Sequence, residues 1–314
     1  MKRLFLAALL LAVAGAALPR HAQAGEASPI LAKLQPYIEC LNQFSERASS
    51  SRSRYASWAA DSGPTGKEMN IYGTYTISDP HDCGTTIEAA NGKEPHEPAL
   101  ETAGTAYANS LIALAPLLKE ADSYYEQQDY KDDKMAKGKA MHPKLLAAWS
   151  DFAKADDKLR DAIETLQDDV QLQELADIEK TEGRSHHYLA LNLMITAKQL
   201  LHVESGDEGA PDLDKIQAKL QAYEAATNEL DQFATSGKVN FPLSSFMSSL
   251  DDSAKEYLGT AKKLMRRIRD KTPYSAGEKM NLSNHLGGWM VEGSPPRLIR
   301  DYNQLVGSFN SSHM

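Results

Sequence analysis

The sequence predicts an all-α protein: a bundle of about seven helices, several of them long, packed as antiparallel hairpins. Two observations carry this. Apolar residues recur at three- and four-residue spacing along most of the chain, which is the period of an amphipathic helix. Period-two alternation occurs in Ile71-Tyr-Gly-Thr-Tyr-Thr-Ile77, a stretch too isolated to build a sheet.

The elements follow in order. Leu31, Leu34, Ile38, Leu41, Phe44, Ala48, Tyr55 and Trp58 form one stripe, and Gly63-Pro64 ends the helix they define. The Ile71–Ile77 stretch then reads as an extended loop. A helix is expected from Leu100 to Tyr130, with a kink at Pro116, followed by a polar break over residues 131–140. A long helix should run from Pro143 to Glu182, with Leu159, Ile163, Leu166 and Val170 on one face and Gly183 as its stop. Ser185 can cap the next helix, whose span from Tyr188 to Val203 is apolar on most sides and so expected in the core. Leu213 to Leu230 and Leu243 to Ile268 each keep a clean stripe. A glycine-rich connector covers Tyr274 to Gly293, and Ser294-Pro295-Pro296 opens a last short helix, serine as cap and proline in the first turn.

Residues 1–24 have the three parts of a secretory signal peptide. Lys2 and Arg3 give the charge, Leu4 to Leu18 the apolar core, and Ala22-Gln23-Ala24 a small-residue cleavage site. The core is too short for a membrane span. The expected organisation is a signal peptide over 1–24 and a single all-helical domain over 25–314, exported to the periplasm. No later segment is long and apolar enough to suggest a transmembrane helix. The chain carries 34 Lys and Arg against 43 Asp and Glu, and loss of Lys2, Arg3 and Arg20 with the leader makes it more acidic still. That balance disfavours a nucleic-acid partner. Cys40 and Cys83 are the two cysteines, and an oxidising compartment favours a bridge between them. It would tether the extended loop near the N-terminus.

Several short motifs are similar to those of the YiiG-like family of bacterial envelope proteins. They are Tyr37-Ile-Glu-Cys40-Leu-Asn42, Arg52-Ser-Arg-Tyr55, Gly63-Pro-Thr-Gly66 and Ile71-Tyr-Gly73, then Tyr130-Lys-Asp-Asp-Lys-Met-Ala-Lys-Gly138, His142-Pro143, Glu182-Gly-Arg184, Gly293-Ser-Pro295 and Tyr302-Asn303. They are spread over nearly the whole mature chain. The resemblance implies a protein of unknown function and supplies no catalytic residues. Members are often lipoproteins; this chain has no cysteine at the cleavage point, so lipid attachment there is not expected.

Candidate chemistry is sparse. Arg54, Tyr72 and Tyr75 can line a groove in which a guanidinium and two phenols would take an anion or a sugar. Glu182 and His186 stand four apart, the spacing that puts two metal ligands on one helix face, although Gly183 and Ser185 between them break that face. Arg266, Arg267 and Arg269 form a basic patch suited either to a helix C-terminus or to an anionic envelope component. No H-E-x-x-H, G-x-S-x-G or phosphate-binding glycine loop is present, and no cofactor is expected.

The leading function is non-enzymatic binding or scaffolding of an envelope component or protein. The alternatives are small-molecule or anion binding, and a metal-assisted hydrolase around Glu182 and His186. The leader makes a direct prediction: mass spectrometry of periplasmic extract should find a mature N-terminus at Gly25. An intact Met1 terminus would contradict it.

Overall fold

The computed structural model describes residues 29–205, 211–237, 239–284 and 287–311. The leader expected over 1–24 lies outside the described residues. Nine α-helices and two 3-10 turns account for the regular structure of the described residues, which contain no strand. The helices are α1 (Pro29–Ala56), α2 (His81–Asn91), α3 (Pro98–Glu126), α4 (Ala136–Glu182), α5 (His186–Ser205), α6 (Leu213–Thr235), α7 (Leu243–Arg269), α8 (Ala276–Ser283) and α9 (Pro295–Asn310). Seven of these occupy the stretches expected from periodicity. The two additions, α2 and α8, are the shortest. Eight-residue α8 buries no side chain, so no apolar stripe marks it; a Ser275–Glu278 capping box holds its start instead.

Helix α4 begins seven residues before Pro143. The residues read as a polar break supply its start: Asp133 accepts from the backbone of Ala136 at 3.2 Å and of Lys137 at 2.9 Å. Pro143 therefore lies inside the helix. Helix α3 likewise runs through Pro116.

The chain divides into two compact units, residues 22–170 and a second unit that includes 171–314. Each has its own apolar cluster. In the first, α2 is tied to both of its neighbours. The Cys40–Cys83 disulfide joins it to α1. Lys33, whose side chain is 1% exposed, donates to the carbonyls of Ala90 (2.8 Å) and Lys93 (2.6 Å) at the end of α2 and to Glu101 of α3 (2.7 Å). A buried ammonium is tolerable only when its donors are matched, and here three acceptors surround it. The bond from Lys33 is the main reason the Glu101 carboxyl falls to about 2. Gly104 completes the contact: a Cβ there would lie 2.5 Å from the buried ring of Tyr37, so only glycine lets α3 approach α1 this closely.

In the second unit, tyrosine hydroxyls join the helices. Tyr257 on α7 donates to the Ala197 carbonyl of α5 at 3.1 Å, and Tyr223 on α6 to the Ala254 carbonyl of α7 at 3.1 Å. Their rings meet edge to face at 5.2 Å, and Tyr302 of α9 packs against Tyr257 at 5.8 Å. Thr260 bonds Asp301, and Ser253 bonds Ser308 farther along α9. As α7 is followed back towards its start, its partners move towards the end of α9. Helix α5 is largely buried in this core, as its apolar sequence predicts.

Glu204, near the end of α5, departs from the pattern of satisfied polar groups. It is 5% exposed, and neither carboxylate oxygen has a hydrogen-bond partner among the described residues. Tyr257 is close enough to feel its charge. Burial pushes the Glu204 carboxyl up from 4.5 to about 9. The folded form is thus neutral over a range in which the unfolded form is ionised. Stability is fully present below pH 4.5 and is lost as pH rises towards 9, with a limiting slope of about 1.4 kcal/mol per pH unit. Glu204→Gln keeps the shape and removes the titration. Denaturant unfolding from pH 5 to 9 should show the slope flattened in this variant, and equal slopes would refute the assignment.

Candidate functional site

Residues 57–80, between α1 and α2, contain neither helix nor strand. Their backbone groups have no ladder to join and must find other partners. Helix α1 supplies them from one face. Arg47 Nε donates to the Thr76 carbonyl (3.1 Å). Ser51 both donates to the Tyr75 carbonyl (2.7 Å) and accepts from the Tyr75 N–H (3.0 Å). Arg54 Nε donates to the Tyr72 carbonyl (2.7 Å), and Trp58 Nε1, just beyond the helix end, to the Gly73 carbonyl (2.9 Å). Spacings of four, three and four residues put these side chains on one line along the helix. Arg47 and Ser51 were not among the residues singled out from sequence. Their signal is a polar stripe at helical period, which looks the same as a solvated face.

Beneath the segment lies an aromatic floor. Tyr55, 2% exposed, packs edge-on to Trp58 at 5.1 Å, and Trp58 meets Tyr125 at 5.0 Å. Tyr55 and the buried His142 of α4 share a 3.0 Å hydrogen bond, and the other ring nitrogen of His142 lies 3.1 Å from the Asp61 carbonyl. A carbonyl can only accept, so Nε2 carries the proton and Nδ1 accepts from the Tyr55 hydroxyl. Gly73 holds φ at +68°, with a would-be Cβ 3.1 Å from Tyr125; both the left-handed backbone and the tight contact favour glycine.

The structure brings Arg54, Tyr72 and Tyr75 together. They line a cleft of about 420 Å³ with Ser50, Ser53 and Ser57. Besides its bond to Tyr72, Arg54 donates through Nη1 to the Tyr75 hydroxyl at 3.0 Å, which leaves Nη2 without an acceptor among the described residues. Its guanidinium carbon is 4.5 Å from the centre of the Tyr75 ring, and that of Arg47 is 4.0 Å from the same ring. The cleft therefore offers a guanidinium fixed on two sides, half-exposed phenols and three serine side chains.

The other candidates are arranged differently. Gly183, at φ +70°, ends α4 between Glu182 and His186. Glu182 instead accepts from Ser185 at 2.9 Å and lies 3.6 Å from His187. Among the described residues, no group of three or more His, Cys, Asp or Glu converges as a metal site would need. Of the arginine patch Arg266, Arg267 and Arg269 at the end of α7, the last two are bound to acids. Arg267 bonds Glu278 at 2.8 Å and stacks 4.4 Å from the Tyr274 ring, while Arg269 bonds Asp270 at 2.8 and 3.0 Å. No helix of the described residues is long and apolar enough to cross a membrane.

Residues 28–311 match the family described as Protein of unknown function (DUF3829). The chain belongs to this family. It is 37% identical over 284 residues to the Uncharacterized protein YiiG of Escherichia coli (strain K12), an alignment covering 89% of this chain and 78% of that protein. No solved structure matches the chain. The family match spans both compact units, including the α1 face and the segment it holds.

The aromatic floor yields a stability prediction. Trp58→Ala removes a half-buried indole and leaves the Gly73 carbonyl without its donor, at a cost of about 3 kcal/mol. Trp58→Phe, which keeps most of the ring and loses mainly the donor, should cost about 1 kcal/mol. Thermal melts of the two variants check the ordering, and a Trp58→Ala protein melting like wild type would contradict it.

Proposed function

We propose that this chain is a non-enzymatic binding protein of the bacterial envelope, whose helices act as an antiparallel scaffold for the cleft on α1. The ligand is an anionic or sugar group carried by an envelope component. The observation that supports this most is the state of Arg54: two bonds fix its guanidinium beside Tyr75, and its remaining edge faces a cleft edged by serines. Such a group is already ordered before a ligand arrives, so little conformational entropy remains to be lost on binding. Serine and tyrosine hydroxyls suit sugar oxygens, and the guanidinium suits a carboxylate or phosphate.

Export accords with the leader over residues 1–24 and with the Cys40–Cys83 bridge, since structural disulfides persist in oxidising compartments. The bridge closes the stretch of chain that forms the cleft wall, which favours a fixed binding surface over a mobile one.

Glucuronate, a sugar bearing a carboxylate, is a suitable probe. Isothermal titration should detect its binding to the mature protein. Arg54→Ala should weaken it by about tenfold or more while the melting temperature stays close to wild type, because the exposed side of that residue contributes little to stability. Undiminished binding by Arg54→Ala would sink this reading.

A further inference from the structure

A second cleft, of about 540 Å³, lies where the Thr65–Met69 stretch meets the turn before α4. Its lining includes three lysines, Lys67, Lys131 and Lys134, all exposed. Lys131 donates to Gln128. Neither Lys67 nor Lys134 has a carboxylate partner among the described residues. In an acidic chain, three ammonium groups on one cavity make a local field opposite in sign to that of the whole molecule.

The cleft also contains an anion-binding nest, and the protein fills it with a carboxylate of its own. Glu68 accepts from the Thr65 N–H at 2.5 Å, the Thr65 hydroxyl at 2.9 Å and the Gly66 N–H at 2.8 Å. Consecutive backbone N–H groups of this kind form a concavity suited to oxyanions. Partial burial pushes the Glu68 carboxyl up, but the donors from Thr65 and Gly66 outweigh it and keep the group ionised.

The opposite wall is held in an uncommon backbone form. Lys134 and Met135 take consecutive left-handed conformations, at φ +53° and +67°, without being glycines. Met135 is fully buried, 3.3 Å from a would-be Cβ on Gly66. This anchor fixes Lys134 at the rim of the cleft. Tyr130, Ile71 and Met69 add apolar surface beside the charges.

We propose that this lysine cleft binds a phosphate group, which enters the nest by displacing the Glu68 carboxylate. This site is separate from the Arg54 cleft and does not rest on the reading given for it. Two sources share this chemistry: a soluble polyanion, and a phosphorylated amphiphile whose apolar part would lie along Met69 and Ile71.

Two probes distinguish the sources: inorganic pyrophosphate by isothermal titration, and sedimentation with phosphatidylcholine vesicles with and without phosphatidic acid. Binding is expected in at least one arm. Replacing Lys67, Lys131 and Lys134 together by alanine should weaken it by about tenfold or more, with melting unchanged because all three are exposed. Glu68→Gln should strengthen it several-fold, since an amide competes less well for the nest. Soluble binding alone identifies a free polyanion, and sedimentation alone a lipid headgroup. Absence of binding in both arms, full retention by the triple variant, or weaker binding by Glu68→Gln would overturn the proposal.

Discussion

The unladdered backbone between α1 and α2 must be satisfied by side chains, and that requirement organises the first unit. A folded segment with no helix or strand would ordinarily carry unpaired carbonyls into its contacts, each costing about 1–3 kcal/mol if buried. Arg47, Ser51, Arg54 and Trp58 meet that need from a single helix face. Their order along α1 fixes which part of the segment lies over which turn. The cleft is a by-product of this arrangement, because the guanidinium that holds the Tyr72 carbonyl also forms the cleft's charged wall.

The two units solve the same packing problem by different chemistry. In the first, α2 is short and buries little surface of its own, so a disulfide and a buried ammonium attach it to α1 and α3. In the second, the helices are long enough for apolar stripes to carry the association. Its tyrosines then set the depth of contact: each hydroxyl needs an acceptor when buried, and helix carbonyls at Ala197 and Ala254 have a spare lone pair. Alanine at those positions leaves room for the phenol to reach the backbone. Glu204 stands apart because no such acceptor or donor meets it among the described residues.

The long helices were legible because apolar stripes need only local spacing to be seen. Helices α2 and α8 were not, since one has three buried positions and the other none. The start of α4 was misread because Pro143 resembles a first-turn proline, whereas the cap is Asp133, ten residues earlier in a run that looked merely polar. At the cleft, the alternating aromatics of the Ile71–Ile77 stretch drew attention to Tyr72 and Tyr75. Arg47 and Ser51 passed unnoticed because their partners are backbone carbonyls, which no residue type announces. The spacing of Glu182 and His186 was visible, but the left-handed glycine between them takes the two side chains off a common helix.

The covalent topology of the cleft wall has a further effect. Residues 57–80 lie between Cys40 and Cys83, so this stretch belongs to a closed ring of chain. Proteases attack irregular segments with exposed tips, and this one displays Met69 at 96% exposure. A single cut there opens the ring without dividing the molecule. Both new ends stay joined through the sulfur atoms, and the α1 side chains still grip the distal piece. Damage at this exposed point would thus pass unseen on a non-reducing gel and appear as two fragments only after the thiols are freed.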